Sequence, residues 1–490
     1  MNNFEEIQHH SILMDIARRV LLERGLLPDF SPQALKMLDK IIAPAGKTDD
    51  SIKDLRDLIW CSIDNDDSMD LDQLTVAEAL PDGNVIIRVA VADVDVLVPK
   101  NSPIDDHAKQ NTTSIYTAAE IFPMLPEKLS TDLTSLNPGE DRIAMIVEMI
   151  IAPDGTIKDS SIFRALVHNH AKLAYHAVGD WLEGHGEMPE AIGKVDGLED
   201  NLRLQDVTAQ KLKELRHEKG ALNFQTIEVK PKFEGEELKD FELEKSNRAT
   251  EIIEDFMIAS NGVTARYLAS KNFPSLRRVV RVPKNWDGIV ELAREHGFHL
   301  PKLPDSKSLE KFLIKAKADD PLRFPDISLS VIKLMGAGEY VAERPGGETF
   351  GHFGLAVKDY SHSTAPNRRY PDVITQRLLK AALAGKPIPY SDYELSDLAM
   401  HCTQTEDAVK KAERQVEKSA AAILLESRVG ERFDAIVTGA SDKGVWVRIL
   451  APPVEGKLMS GYRNMQVGRQ LKVELTSVDI DRGFINFDRV

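Results

Sequence analysis

Only two cysteines, Cys61 and Cys402, occur in 490 residues, far apart and without metal-ligand spacing. That argues against a disulfide framework or a zinc site and fits a reducing cytoplasm. No apolar run reaches the roughly 18 residues that a membrane span needs. The start, "MNNFEEIQHH", lacks the basic-then-apolar order of a secretory signal. Aromatics make up 6%, and 62 Lys and Arg against 78 Asp and Glu leave a net charge of −16. A uniformly basic nucleic-acid binder is thereby disfavoured, although a local basic channel can coexist with an acidic exterior. With 42% apolar residues a sizeable core is available. The length suits two to four domains of about 150 residues each.

Residues 1–48 read as short helices. Leu13, Ile16, Ala17, Val20 and Arg24 recur at helical spacing, with Gly25 placed to end the run. "SPQALKMLDKII" offers Ser31 as cap and Pro32 at the first helical position. The pair is either a helix-turn-helix or two helices packed on the next domain. "APAGKTDDS", Ala43 to Ser51, has linker composition. Residues 52–426 mix strand-like and helix-like segments: "NVIIRVAVADVDVLV" alternates as a strand or hairpin. A long helix follows Ser246, read as its cap, and another runs from about Ser396 to Ser427. Residues 428–490 show short alternating runs between turns, enough for five strands and a small closed barrel. That stretch holds ten Lys or Arg against eight Asp or Glu. Trp446, Tyr462, Arg448 and Arg463 suit either its core or a platform for a single strand. The fold class expected is a multidomain α+β chain: helical N-terminal region, mixed α/β domain and OB-type β-barrel.

"SIDNDDSMDLDQL" concentrates five aspartates between Asp64 and Asp72. Such charge is either solvated or shared with a cation. Asp64, Asp70 and Asp72, after the apolar "LIWCSI", could converge at the end of a strand, and carboxylate oxygens suit magnesium. An EF-hand loop is excluded because the central Gly is missing. Further on, "STAPNRRYPD" places Arg368 and Arg369 on a turn stiffened by Pro366. Paired guanidiniums suit phosphate capture, or else they pair with local acids such as Asp372.

These blocks, with "SIYTAAEIFPMLPEKLSTDLTSLNPGEDR", "RATEIIEDFMIASN" and "KKAERQV", stand in the order found in the ribonuclease II family. Residues 52–426 resemble its RNB catalytic domain, and the last 60 or so resemble the S1-type OB barrel that binds single-stranded RNA. The resemblance implies a processive 3′-to-5′ exoribonuclease that releases nucleoside 5′-monophosphates with magnesium, or manganese. Its partner would be single-stranded RNA with a free 3′ end, bound by a monomer without a membrane. It further implies a metal-binding acidic cluster of Asp64, Asp70 and Asp72, with Asp72 the most critical. Tyr116 would stack on terminal nucleotides and set where digestion stops, and Arg368 would hold the scissile phosphate beside Arg369. Glu413 would lie near the terminal ribose and base.

The chain departs from the family pattern in places. Gln73 stands where a fourth aspartate is usual; its amide can serve a metal but adds no charge, and compensation by Asp66 or Asp67 is one alternative. Ala365 and Asn367 replace the usual Ser and Ile, and Asn111 replaces an arginine. Relatives commonly carry two cold-shock barrels ahead of the catalytic domain, for which residues 1–48 are too few; a more open RNA entrance is the expectation. Two rival readings remain: a catalytically impaired RNA-binding protein, because of Gln73, and a phosphodiesterase acting on DNA or small nucleotides.

Overall fold

The computed structural model describes residues 9–490 apart from 47–50, 227, 245, 322, 349, 442–443, 464 and 466. Part of the Ala43–Ser51 linker therefore lies outside the described residues. Helix α1 (His9–Glu23) buries Leu13, Ile16, Ala17 and Val20, the stripe its spacing foretells. Gly25 follows with a φ of 74°, the left-handed conformation that commonly closes a helix. In α2 (Pro32–Leu38), Ser31 accepts from Ala34 N and Pro32 opens the first turn. The two helices pack separately on the main body, α1 on the long helix of residues 392–425 and α2 on residues 103–111. They form no free-standing helix-turn-helix.

The central sheet is built from β1 (Lys53–Asp54), β2 (Cys61–Asp64), β3 (Gln73–Ala79) and β4 (Val85–Ala92). After α3 (Pro103–Asn111) and the two-residue hairpin strands β5 (Ile115–Tyr116) and β6 (Ile121–Phe122), it adds β7 (Asp141–Ile151), β8 (Ile157–His168) and β9 (Ala171–Ala174). Its order is β1-β8-β7-β4-β3-β2-β9. The edge pairs β1–β8 and β2–β9 are parallel and the others antiparallel. Helices α4 (Tyr175–Glu183), α5 (Glu190–Gly193) and α6 (Leu198–Glu218), the hairpin β10 (Glu228–Glu234) and β11 (Glu237–Glu244), and α7 (Arg248–Ser270) follow. Helix α7 lies across the sheet and buries Ile252, Ile253 and Phe256. Its cap is Asn247 rather than Ser246. The Asn247 carboxamide accepts from Ala249 N and Thr250 N, whereas Ser246 Oγ turns to Thr250 Oγ1. An amide oxygen reaches two free N–H groups that a serine one residue earlier cannot.

Beyond β12 (Ser275–Val279), helices α8 (Trp286–Glu295), α9 (Ser306–Asp319) and α10 (Phe324–Met335) form a satellite core around Phe312, Phe324 and Ile327. Then come β13 (Glu339–Glu343), α11 (Tyr370–Leu383) and α12 (Asp392–Leu425), capped by Ser391. Helix α12 thus begins four residues before the expected Ser396, because Ser391 supplies the cap and Asp392 and Glu394 favour its N-terminus. Strands β14 (Arg432–Ser441), β15 (Gly444–Ile449), β16 (Glu455–Ser460), β17 (Gln470–Asp479) and β18 (Phe484–Arg489) close the expected five-stranded barrel. One apolar cluster joins α1, α12 and the barrel core of Val437, Val447, Leu475 and Phe487. Arg448 leaves the barrel for α10, where its guanidinium grips the buried Asp326 carboxylate at 2.8 Å. It ties the barrel to the mixed α/β domain.

Candidate active site

The acid loop joins two neighbouring strands. Asp64 is the last residue of β2, and Asp72 immediately precedes β3. Asp64 Oδ1 accepts from Asn65 N and Ser68 Oγ, each at 2.8 Å. A π-helical turn at Lys128–Leu133 delivers Ser135, whose hydroxyl bonds Met69 O and Leu71 N at 2.8 and 2.9 Å. Leu136 N adds a bond to Leu71 O, and Ala92 N one to Asp72 O. The backbone on both sides of Asp70 and Asp72 is thereby fixed from three directions.

Arg368 arrives from the turn before α11. Its Nε donates to Asp72 Oδ2 at 2.9 Å, and Asn367 N donates to Asp72 Oδ1 at 2.9 Å. The Asp72 side chain is 1% exposed while that of Arg368 is 42% exposed, so the cation keeps a face towards solvent. Burial pushes the Asp72 carboxyl up to about 7, against the pull of Arg368 and with the push of Asp70. Asp70 is raised for the same first reason, with Arg368 opposing and Asp64 adding to it. Two desolvated carboxylates with one arginine between them are short of positive charge.

Tyr116 places its hydroxyl against Asp70 within the field of Arg368, Asp72 and Asp64, while 44% of the residue faces solvent. Burial raises its phenol. Glu413, on α12, is not against the acid loop: its Oε1 accepts from the backbone N of Tyr116 at 2.9 Å and so anchors β5. Arg369 turns from Arg368 to the buried Asp372, 2.8 Å away. Gln73 opens β3 and is buried next to Asp72. Asp66 faces His176 Nδ1 at 2.8 Å and Asp67 is exposed. Asn111, fully buried, exchanges hydrogen bonds with Leu27 N and O; it pins the N-terminal segment and has no exposed face for a phosphate.

Sequence reading missed Tyr175. Because β9 runs parallel to β2, pairing Ala174 with Asp64, the next residue is delivered to the acid cluster. Its phenol is raised by burial first and by Asp64 next, with Arg368 opposing. Nothing in "LAYHAV" signals this; it follows from strand pairing across more than a hundred residues.

The donors here are hard oxygens: Asp64, Asp70, Asp72 and the Gln73 amide. Among the described residues no group of three His, Cys, Asp or Glu forms a ready cage for an ion. A magnesium site does not require one, since that ion is usually held through one or two carboxylates, water and substrate phosphate. Charge-poor buried carboxylates fit that chemistry. Both Asp72 oxygens already accept a protein donor, which leaves Asp64 and Asp70 the freer ligands.

Residues 52–385 match the RNB domain, and residues 431–490 match the RNase II-type exonuclease C-terminal S1 domain. Ribonuclease R of Escherichia coli (strain K12) is 31% identical over 456 residues, 88% of this chain and 54% of that protein. The chain spans about half the length of such curated relatives. The structure of Mycoplasma genitalium RNase R in complex with ribose methylated single-stranded RNA shares the fold, with a TM-score of 0.87 at 22% identity. It covers 98% of this chain and 78% of its own. Yeast Ssd1, a pseudonuclease, also shares it, at a TM-score of 0.72 and 15% identity over 94% of this chain and 57% of that one. The fold is therefore common to a nuclease and to a protein described as a pseudonuclease, and the chain belongs to the RNB-domain family.

Proposed function

We propose that this chain is a processive 3′-to-5′ exoribonuclease that hydrolyses single-stranded RNA to nucleoside 5′-monophosphates, acting as a cytoplasmic monomer with magnesium as cofactor. The observation that carries this reading is the buried Asp72 carboxylate holding Arg368 by Nε while the guanidinium stays 42% exposed; among the described residues its other N–H groups have no hydrogen-bond partner and would take phosphate oxygens. Asp64, Asp70 and Gln73 would hold the magnesium ion, which supplies charge neutralisation and activation of a water for in-line attack. The residues of the chain do the positioning. Tyr116 offers its exposed ring to a terminal base, Glu413 fixes the strand that carries it, and Asp72 sets the direction of Arg368. The 3′ oxygen of the penultimate nucleotide leaves and the last nucleotide departs as a 5′-monophosphate. Stabilisation of charge in a partly buried site supplies most of the acceleration.

The test is to incubate 5′-labelled RNA with the chain, with and without magnesium, beside Asp72→Asn. The expected outcome is full-length RNA giving way to a short 5′-labelled end product with few intermediates, and unlabelled nucleoside 5′-monophosphates identified by chromatography, both lost in the variant while RNA binding is retained. Gln73 favours a second reading, binding without cleavage, in which the wild-type chain retards RNA on a gel but releases no nucleotide and Gln73→Asp creates activity. Parallel incubation with DNA of the same sequence excludes or admits a deoxyribonuclease.

A further inference from the structure

Arg368 answers one of the five aspartates in the acid loop. Residues 65–69, between Asp64 and Asp70, are mostly exposed turn; besides the Ser135 bond to Met69 O, they are held from a strand that sequence reading left without a role. Lys172 sits on β9 opposite Ser62 of β2. Its ammonium donates to Ser68 O at 2.5 Å and to Asp66 O at 3.3 Å. Two carbonyl dipoles of the loop thus converge on one cation that belongs to the protein. Four residues further on, at the head of α4, His176 Nδ1 lies against the Asp66 carboxylate, and Tyr175 between them lies in the field of Asp64. One short segment, residues 172–176, holds the loop at its backbone, at one side chain and at the end of β2.

The energetics favour such a clamp. Carboxylates crowded in a loop repel one another, and carbonyls turned to a common centre do so as well unless a cation stands there. Lys172 supplies that cation permanently, before any substrate arrives. Two of its three ammonium protons are spent on the loop carbonyls, so it is poorly placed to serve as a phosphate ligand.

We propose that Lys172 is a positioning residue for phosphodiester cleavage: its ammonium organises residues 65–69 so that Asp64 and Asp70 are set opposite Arg368 in advance of RNA. This rests on the exoribonuclease reading above. The role differs from that of a phosphate contact, which would weaken RNA binding, and from that of a general fold contact, which would lower stability throughout.

The experiment compares the full chain with Lys172→Met and Lys172→Arg by three measurements. These are kcat and KM on RNA, the Kd for RNA in chelator, and amide hydrogen exchange across the molecule. The expected result for Lys172→Met is a kcat lowered by about tenfold to a hundredfold, the scale of a small misplacement of reacting groups. Its Kd should stay within about twofold, because the electrostatic term of RNA binding rests on many other contacts. Exchange should accelerate at the amides of 65–70 and nowhere else. Lys172→Arg, which keeps a cation in the same place, should recover most of both losses. Wild-type kcat in Lys172→Met, or a fall in affinity matching the fall in rate, would overturn the proposal, as would unchanged exchange in the loop. Exchange that quickens everywhere would reduce Lys172 to a fold contact and overturn it too. If the wild-type chain itself releases no monophosphate, the exoribonuclease reading fails, while the exchange data still decide whether Lys172 organises the loop.

Discussion

Replacing Asp72 by asparagine should change how stability depends on pH, by an amount set by its burial. The carboxyl is lifted from the ordinary 3.8 to about 7, first by burial. A group whose folded-state value lies above its unfolded one binds its proton preferentially in the folded chain. Its contribution to stability is therefore complete below about pH 3.8 and is lost as pH rises towards 7. At 1.36 kcal/mol per pH unit the whole loss is about 4 kcal/mol. Between pH 5.5 and 8.5 roughly 2 kcal/mol of it falls. Asparagine has no such titration. It also replaces one acceptor oxygen by an N–H group, leaving either Asn367 N or Arg368 Nε without a partner, at a cost of about 1–3 kcal/mol that does not vary with pH. The assay is urea unfolding of metal-free wild type and Asp72→Asn at several pH values, read by tryptophan fluorescence, with Trp60 fully buried in the core just before the strand that ends in Asp64. Relative to wild type, the variant should gain about 2 kcal/mol on going from pH 5.5 to 8.5. A difference independent of pH, or one that runs the other way, would refute the reasoning that Asp72 is an unwillingly ionised buried group.

Other outcomes follow from single contacts. Arg368→Lys keeps the charge but loses the fork that serves Asp72 and a phosphate together, so kcat should fall by at least about tenfold in steady-state turnover. Tyr116→Ala removes the exposed ring, and the limit product, read on a sequencing gel, should change length while initial cleavage persists. Arg448→Met leaves the Asp326 carboxylate buried without its partner and should cost about 3–5 kcal/mol in the unfolding of the barrel and the α8–α10 core; Arg448→Met with Asp326→Leu should recover part of it. Gln73→Asp adds a carboxylate beside Asp72, and the magnesium concentration for half-maximal activity should fall.

The acid loop and the paired arginines stand out as short charged stretches, but their residue types left solvation and local pairing open; the ribonuclease II resemblance put Asp72 and Arg368 in one site, and the fold brings them within 2.9 Å. Helix α1 was legible from its apolar spacing, and the five-stranded barrel from its alternating runs between turns. What was not legible depends on distant pairing. Tyr175 and Lys172 reach the site because β9 aligns in parallel with β2, and no local periodicity encodes a parallel register across such a distance. Arg448 was open to the barrel core or to a single-strand platform, and Asn111 stood where the family has an arginine. Burial against Asp326 and Leu27 assigns them to holding segments together instead. The cap of α7 moved by one residue because serine and asparagine are both good caps, and the geometry of the turn chose between them.

The central claim is that the RNA 3′ terminus meets the acid loop opposite Arg368. Its most direct test is a crystal structure of the Asp72→Asn chain with a short single-stranded RNA. The account predicts the last phosphodiester within hydrogen-bond reach of the Arg368 guanidinium, between Asp64 and Asp70, with a terminal base against Tyr116. A 3′ end seated elsewhere, or Arg368 turned away from the phosphate, would contradict it.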